Sequence, residues 1–166
     1  QITITQKQTI QKLLKNHNLE DVRKCCTPLD PGSILKKCEQ CDEKCQVVDR
    51  TTYQSLIGSL LYIAISTRPD IMHSVSKLSQ LNTKPHKKHY TAAKHVAKYL
   101  CGTIDYGLTY KKQNKELFAY SDADWGNDTQ TRRSYTGYVF YLSGGPTWES
   151  KLQPTVALSS TEAEYM

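Results

Sequence analysis

Apolar positions in the N-terminal part of the chain recur mainly at helical spacing. Residues 2–5 are the exception, because isoleucine and threonine alternate there and predict a short strand. Amphipathic helices are predicted over residues 8–19 and 51–64. The sequence Thr-Arg-Pro-Asp at 67–70 ends the second helix and begins another, since proline suits the first turn and aspartate suits the positive end of a helix. A further helix is predicted over residues 87–100.

Two glycines are expected to have structural roles in these helices. Gly58 lies within an apolar stripe, where the absence of a side chain would permit close packing against a neighbouring element. Gly102 follows the last apolar position of its helix and is predicted to cap the C-terminus. Residues 24–50, between the first two helices, lack periodicity, which indicates a loop or linker.

In the second part of the chain the apolar positions fall at every second residue. Strands are predicted over residues 107–110, 117–122 and 135–142, and a fourth begins at Thr147 after a turn that contains glycine and proline. A helix is predicted to begin at Ser159. The sequence therefore predicts an α+β fold in which helices come first and strands follow.

Composition and charge narrow the classes of protein to which the chain can belong. With 166 residues it makes one domain or two small ones, and its composition excludes a collagen, a disordered tail and a disulfide-rich toxin. No apolar run approaches the roughly 18 residues of a membrane span, so we expect no membrane partner and an intracellular location. The 22 basic residues against 16 acidic ones give a net charge of +6, which suits a polyanionic partner without requiring one.

Lysines crowd the polar side of the helix predicted over residues 87–100. Lys87, Lys88, Lys94 and Lys98 lie outside its apolar face. Such a face is either a solvated surface or a basic helix that lies along a phosphate backbone. The spacing alone leaves both interpretations open.

Five of the six cysteines lie within a segment of 21 residues: Cys25, Cys26, Cys38, Cys41 and Cys45. The spacings among the last three could hold a zinc ion, with Cys25 or Cys26 supplying a fourth thiolate. The alternative is a reduced loop, because disulfides do not persist in cytosolic proteins.

Acidic residues at the ends of predicted elements are candidates for a metal site. Asp122 stands near the end of a strand, and Glu162 lies on the helix that follows Ser159. Carboxylates on a strand end and on a neighbouring helix can build an oxygen site for Mg²⁺, whereas aspartates at such ends more often cap turns. Glu162 also fits a capping box with Ser159, in which its side chain accepts from the cap amide. Asp124 and Asp128 are further candidates.

Several segments together resemble one known family. The sequences YQSLIGSLLY at 53–62 and TRPDI at 67–71 resemble the segment that follows the polymerase palm in copia-type LTR retrotransposon Pol polyproteins. Residues 89–103 are similar to the next helix of that family, and residues 120–125 and 156–165 are similar to the opening half of its ribonuclease H domain. The resemblance is collinear over nearly the whole chain.

The resemblance implies a domain organisation and a set of residue roles. Residues 1–103 would be the reverse transcriptase thumb and connection, which grip a template–primer duplex through the four lysines named above. Residues 104–166 would be the N-terminal part of a truncated, ribonuclease H-like α/β domain. Asp122 matches the family's first metal-binding aspartate and Glu162 the glutamate of its first helix. Both are therefore expected to be catalytic ligands of Mg²⁺, which serves to cleave RNA in an RNA–DNA hybrid.

The family pattern also predicts that the chain is a fragment. The paired aspartates of the polymerase and the later acidic ligands of ribonuclease H are absent from the sequence. We therefore expect the remaining Pol polyprotein as a partner, a location in the cytoplasm (within a virus-like particle) or in the nucleus, and little or no catalysis by this chain alone. The alternatives are a domesticated nucleic-acid-binding or effector-like protein without catalysis, and a pseudogene product without a selected role.

Overall fold

A computed structural model describes residues 1–30, 32, 33, 35, 46–112, 116–142 and 145–166. Their contacts divide the chain into two compact units, Thr5–Gly107 and Gln1–Ile4 with Leu108–Met166. The first unit is built mainly of helices and the second mainly of strands, so the predicted α+β class is confirmed. Three cysteines on which the zinc hypothesis depends lie outside the described residues: Cys38, Cys41 and Cys45.

The helical unit contains α1 Lys7–Asn16, α2 Arg50–Ser66, a 3-10 turn at Pro69–Ile71, α3 Met72–Ser79 and α4 Lys87–Gly102. The apolar stripe of each helix faces the core, because burial of its large aliphatic side chains away from water is favourable. α2 packs against α3, and α4 packs against α1, α2 and α3. Fully buried side chains from all four helices and the 3-10 turn form this core: Ile10, Tyr53, Leu56, Leu60, Ile63, Ile71, Val75, Leu78, Val96 and Leu100.

α1 ends before the predicted boundary at Leu19. Asn18 adopts a φ of 53°, the left-handed conformation that ends many helices. The amide of Leu19 then donates to the carbonyl of Leu14 at 2.8 Å, and Leu19 is buried in the core. A reversal of the chain at Asn18, and not a longer helix, therefore buries Leu19.

Both predictions about glycines were wrong. A Cβ at Gly58 would meet no heavy atom of the described residues within 4 Å, and Gly58 is exposed, so it provides no close packing. α4 runs through Gly102, and its C-cap is Thr103. A Cβ at Gly102 would lie 3.3 Å from Cβ of Lys24 and 3.4 Å from the carbonyl oxygen of Cys25. The absence of a side chain at Gly102 thus permits the loop after α1 to approach the helix closely.

The strand unit contains β1 Ile2–Thr5, β2 Gly107–Tyr110, β3 Phe118–Ala123, β4 Tyr135–Leu142, β5 Gly145–Leu152 and α5 Ser160–Tyr165. β1 pairs with β2, and β3, β4 and β5 form an antiparallel sheet in that order. β5 begins two residues before its predicted start and includes Pro146, which stands opposite Tyr141. Proline is tolerated in this strand because β5 lies at the edge of its sheet.

Candidate metal site and nucleic-acid interface

Asp122 lies near the C-terminal end of β3 and is exposed. Alternate residues of a strand point to the same face, so Asp122 shares a face with Phe118 and Tyr120. In the register it stands opposite Gly137 of β4, which has no side chain to cover it. The carboxylate is therefore open to solvent at the end of the strand.

Glu162 lies in the first turn of α5 and caps that helix. Its amide donates to Oγ of the N-cap residue Ser159 at 3.1 Å, and its Oε2 accepts a bond of 2.7 Å from the amide of Leu158. The capping role predicted from the sequence is therefore present. The side chain of Glu162, however, accepts from the amide of Leu158, the residue before Ser159, and not from the amide of Ser159 itself. A helix of six residues is marginal by itself, so these bonds help to hold Glu162 in place.

Buried polar contacts position α5, which packs against β3. Gln153 is 3% exposed, and its Nε2 donates to Oγ1 of Thr136 at 2.6 Å and to the carbonyl of Ala163 at 2.7 Å. Nε1 of Trp125 donates to the carbonyl of Ala157 at 3.2 Å and joins the end of β3 to the segment before α5. Sequence reasoning missed Gln153, because a single glutamine after a strand belongs to no pattern.

The other acidic candidates stabilise the local backbone. Asp124 accepts a bond of 2.8 Å from the amide of Tyr135, and Asp128 accepts from the amide and the hydroxyl of Thr131. Within the parts of the chain that the structure describes, no three His, Cys, Asp or Glu side chains form a group that could hold a metal ion. Asp122 and Glu162 therefore remain a predicted pair, whose oxygen donors are of the type that Mg²⁺ prefers.

The four predicted lysines occupy α4 in two ways. Lys87 and Lys88 are exposed in its first turn, whereas Lys94 and Lys98 are half-buried. At about 100° per residue, Lys87, Lys94 and Lys98 project within about 40° of one another. The buried residues of α4 lie on the opposite side of the helix. We call Lys87, Lys94 and Lys98 the lysine stripe.

The positive charge of Lys94 acts on a residue at the end of α1. Its Nζ lies 4.5 Å from the ring centroid of Tyr90, a cation–π contact. At the end of α1, the pKa of His17 is lowered, first by burial and second by the positive charge of Lys94. The potential of the lysine stripe therefore reaches the C-terminal end of α1.

Positive charge is concentrated in the helical unit. Residues 5–107 contain 16 lysines and arginines against 9 acidic residues, a balance of +7. The rest of the chain contains 6 against 7, a balance of −1. All of the excess positive charge therefore lies in the unit that carries the lysine stripe.

A buried arginine joins the start of α3 to the end of α4. Arg68 is 1% exposed, and its guanidinium donates to both carboxylate oxygens of Asp70, with a shortest distance of 2.7 Å. It also donates to the carbonyl and hydroxyl oxygens of Thr103 at 3.0 and 2.5 Å. The ring centroids of Tyr99 and Tyr106 lie 5.6 and 5.4 Å from its Cζ.

The electrostatics of this network keep Asp70 ionised. Burial raises the pKa of Asp70, but the hydrogen bonds and charge of Arg68 and the hydroxyl of Tyr99, 2.8 Å away, outweigh burial and lower it. The pKa of Tyr99 is raised, first by burial and then by the Asp70 carboxylate. The sequence located the turn at Pro69 correctly, but it carried no signal for the contact with Thr103, which lies 35 positions from Arg68.

Two plant Pol polyproteins are similar to the chain over 98% of its length. It is 39% identical over 166 residues to the retrovirus-related Pol polyprotein from transposon TNT 1-94 of Nicotiana tabacum, and 40% identical over 164 residues to that from transposon RE1 of Arabidopsis thaliana. The chain belongs to the copia-type retrotransposon Pol family. This confirms the resemblance in the motifs. The chain spans 12% and 11% of the lengths of these two Pol polyproteins.

Shorter proteins are also similar to the chain. The chain is 47% identical over 116 residues to the secreted RxLR effector protein 161 of Plasmopara viticola, a match that covers 69% of this chain and 82% of that protein. It is 34% identical over 164 residues to an uncharacterized mitochondrial protein of Arabidopsis thaliana, of which 66% is covered. No family model and no solved structure matches the chain. Among the residues with described positions, no helix is long and apolar enough to cross a membrane.

Proposed function

We propose that this Pol chain binds a nucleic-acid duplex through its helical unit and contributes the first two acidic ligands of a ribonuclease H site. Residues 1–103 then act on the template–primer as the thumb and connection of a reverse transcriptase, and residues 104–166 are the N-terminal part of the ribonuclease H domain. The remaining Pol polyprotein supplies the polymerase and the later acidic residues. The observation that carries the proposal is the lysine stripe together with Lys88, in a unit that holds all of the excess positive charge.

The positions of Lys87 and Lys88 favour binding over a solvated face. Both lie in the first turn of α4, where the helix dipole is positive, and that turn contains no acidic residue. A cation at this end of a helix costs about 0.3–1 kcal/mol of helix stability. Local stability therefore does not explain the two lysines. A phosphate backbone would be attracted both by their charges and by the positive end of the helix.

Asp122 and Glu162 fit Mg²⁺ in their donor chemistry. Mg²⁺ is commonly bound by one or two carboxylates together with substrate phosphates and water. Asp122 is exposed, and the helix that carries Glu162 packs against the strand that carries Asp122. When bound, Mg²⁺ supplies an activated water and stabilises charge on the phosphate oxygens. The amide of Leu158 orients Glu162, and Gln153 holds its helix in place.

Binding to an RNA–DNA hybrid at increasing salt concentration tests the nucleic-acid proposal. Fluorescence anisotropy compares the wild type with Lys87→Gln/Lys88→Gln and with a matched control, Lys111→Gln/Lys112→Gln, which removes two exposed lysines of the other unit. Each lost phosphate contact reduces the slope of log K against log salt by about 0.9, so the first variant should lose about 1.8. The control should keep the wild-type slope. Equal slopes for all three proteins, or no binding at low salt, would contradict the proposal.

Cleavage by a longer Pol protein that includes this chain tests the metal-site proposal. Asp122→Asn and Glu162→Gln should each abolish Mg²⁺-dependent cleavage of RNA in a hybrid and leave binding of the hybrid unchanged. Glu164→Gln is the matched control, because Glu164 is exposed on the same helix and has no proposed role. Retained cleavage in Asp122→Asn, or loss of cleavage in the control, would refute the assignment. Cleavage by the chain alone would refute its need for the remaining Pol polyprotein.

A second candidate function is an effector-like one without catalysis. It is favoured by the similarity to the secreted RxLR effector protein 161, of which 82% is covered. In that case the chain acts through binding alone, and the carboxylate of Asp122 has no function. Asp122→Asn would then leave every activity of the natural protein unchanged, whereas the ribonuclease H proposal requires the loss of cleavage.

A further inference from the structure

Three reactive side chains of the helical unit meet beside α4 and have no part in the proposed nucleic-acid function. Sγ of Cys25 lies 3.8 Å from Nδ1 of His95, and the carboxylate of Asp30 lies 3.6 Å from the same nitrogen. Nε2 of His95 lies 2.9 Å from the carbonyl oxygen of Thr27. These contacts bring together a thiol, an imidazole and a carboxylate.

The contact with Thr27 decides which ring nitrogen of His95 carries the proton. A carbonyl oxygen can only accept, so Nε2 is the N–H donor. In the neutral ring Nδ1 is then unprotonated, and both the thiol of Cys25 and the carboxylate of Asp30 face it. The other acceptor near this thiol, the carbonyl of Arg23, is more distant at 4.0 Å and is a much weaker base.

The carboxylate of Asp30 approaches the same ring nitrogen of His95 as the thiol of Cys25. Once Nδ1 takes the thiol proton, the resulting N–H faces both the new thiolate and the carboxylate of Asp30, which lie at the same ring nitrogen. Both neighbours are negative, so both favour the charged ring. A histidine that accepts the thiol proton is a general means of activating a cysteine, and in this chain the carbonyl of Thr27 at Nε2 orients the ring.

The packing of the loop after α1 against α4 places the thiol at the histidine. His95 and Gly102 are seven positions apart on α4 and project from the same side, about two turns apart. Because Gly102 has no Cβ, the backbone of Cys25 can approach the helix closely. The side chain of His95 is 18% exposed and Cys25 is half-buried, so the contact is shielded from water but open to a small reagent.

We infer that Cys25 is a reactive thiol and a site of modification by small electrophiles of the peroxide class. The thiolate is the nucleophilic form of cysteine, and a neighbouring histidine favours it. With hydrogen peroxide, the thiolate sulfur attacks one oxygen, an S–O bond forms and the O–O bond breaks. The departing hydroxide takes the proton from Nδ1 of His95 and becomes water. Cys25 becomes a sulfenic acid, so that sulfur is oxidised and the peroxide is reduced.

Competitive alkylation of the reduced, full-length chain tests this inference. The folded protein is treated with limiting iodoacetamide, and mass spectrometry quantifies the label at each cysteine. Cys101 is the matched control, because it is half-buried like Cys25, and the adjacent Cys26 controls for exposure. Cys25 should react about tenfold faster than Cys101, and faster than the more exposed Cys26. In urea, where the contact with His95 is lost, the rates should converge.

Two variants separate activation by His95 from simple accessibility. In His95→Gln the amide can still donate to the carbonyl of Thr27 but cannot take the thiol proton, so the rate at Cys25 should fall about tenfold while Cys26 is unaffected. Asp30 is 73% exposed, so Asp30→Asn should leave folding intact and lower the rate at Cys25 severalfold. Peroxide followed by dimedone should label Cys25 first. The inference is overturned if wild-type Cys25 reacts no faster than Cys26, or if both variants keep its rate.

Discussion

Replacement of Arg68 by methionine tests how the helical unit is held together. Methionine keeps an unbranched stem but removes the five hydrogen bonds that the guanidinium makes with Asp70 and Thr103. It also leaves the carboxylate of Asp70 without its ion-pair partner. The change therefore acts on the junction between α3 and the end of α4, and not on the apolar core.

The expected magnitude follows from the burial of the two partners. Removal of one partner of a buried ion pair costs about 3–5 kcal/mol. Arg68 is almost completely buried, but the side chain of Asp70 is 32% exposed and keeps the hydroxyl of Tyr99 as a donor. Water and Tyr99 therefore offset part of the loss. We expect the free energy of unfolding to fall by about 3 kcal/mol, at the lower end of that range. Arg68→Lys should cost less, because it keeps the charge but not the forked donors.

Urea unfolding measured by far-UV circular dichroism tests this value. Both tryptophans, Trp125 and Trp148, lie in the strand unit, so their fluorescence reports on that unit and the helical signal reports mainly on the other. With an m-value of about 2 kcal/mol/M, Arg68→Met should lower the dichroism midpoint by about 1.5 M and leave the tryptophan transition in place. Lys7→Met is the control, because it removes an exposed ion pair with Asp105. A loss below about 1 kcal/mol in Arg68→Met would refute the reasoning, since that is the value of a surface ion pair.

Three further substitutions test other parts of the fold. Gly58→Ala should raise the free energy of unfolding by about 0.5–1 kcal/mol, because glycine at this exposed helical position only increases the conformational entropy of the unfolded chain. A lower thermal midpoint would contradict this. Burial and two nearby lysines lower the pKa of His86 in the folded chain. As the pH drops below about 6.5, the unfolded chain therefore binds a proton at His86 before the folded chain does, and the free energy of unfolding falls. His86→Leu should reduce this loss, because leucine binds no proton in either state, and urea unfolding between about pH 7 and pH 5 measures it; an unchanged pH profile would contradict it. Gln153→Leu should destabilise the strand unit by about 1–3 kcal/mol, since the carbonyl of Ala163 loses its buried donor, and an unchanged tryptophan transition in urea would contradict this.

Most helices and strands could be predicted because their signals are local. The strand predicted over residues 135–142 is β4, with the same bounds, and the helix predicted over residues 87–100 is α4, which ends two residues later. Ser159, predicted to start the last helix, is the N-cap of α5. Apolar periodicity and capping involve side chains within one or two turns of each other, so the pattern of residues is sufficient to locate them.

The candidate metal site rests on the family resemblance and stays a prediction. Local patterns around Asp122 and Glu162 favoured turn and capping roles, and the structure shows that Glu162 does cap its helix. Gly102 shows the opposite case. Its position after an apolar stripe suggested a cap, but its role depends on Lys24 and Cys25, which are distant in sequence and approach it only in the folded chain.

The sequence by itself determined the order of helices and strands, the net positive charge, and membership of the Pol family. Only the tertiary structure decided which polar side chains meet. Arg68 reaches Thr103 across 35 positions, and Cys25 reaches His95 across 70. Such contacts depend on how helices and loops pack against one another. Because packing is non-directional and is shared among many apolar side chains, no local pattern specifies which polar groups it brings together.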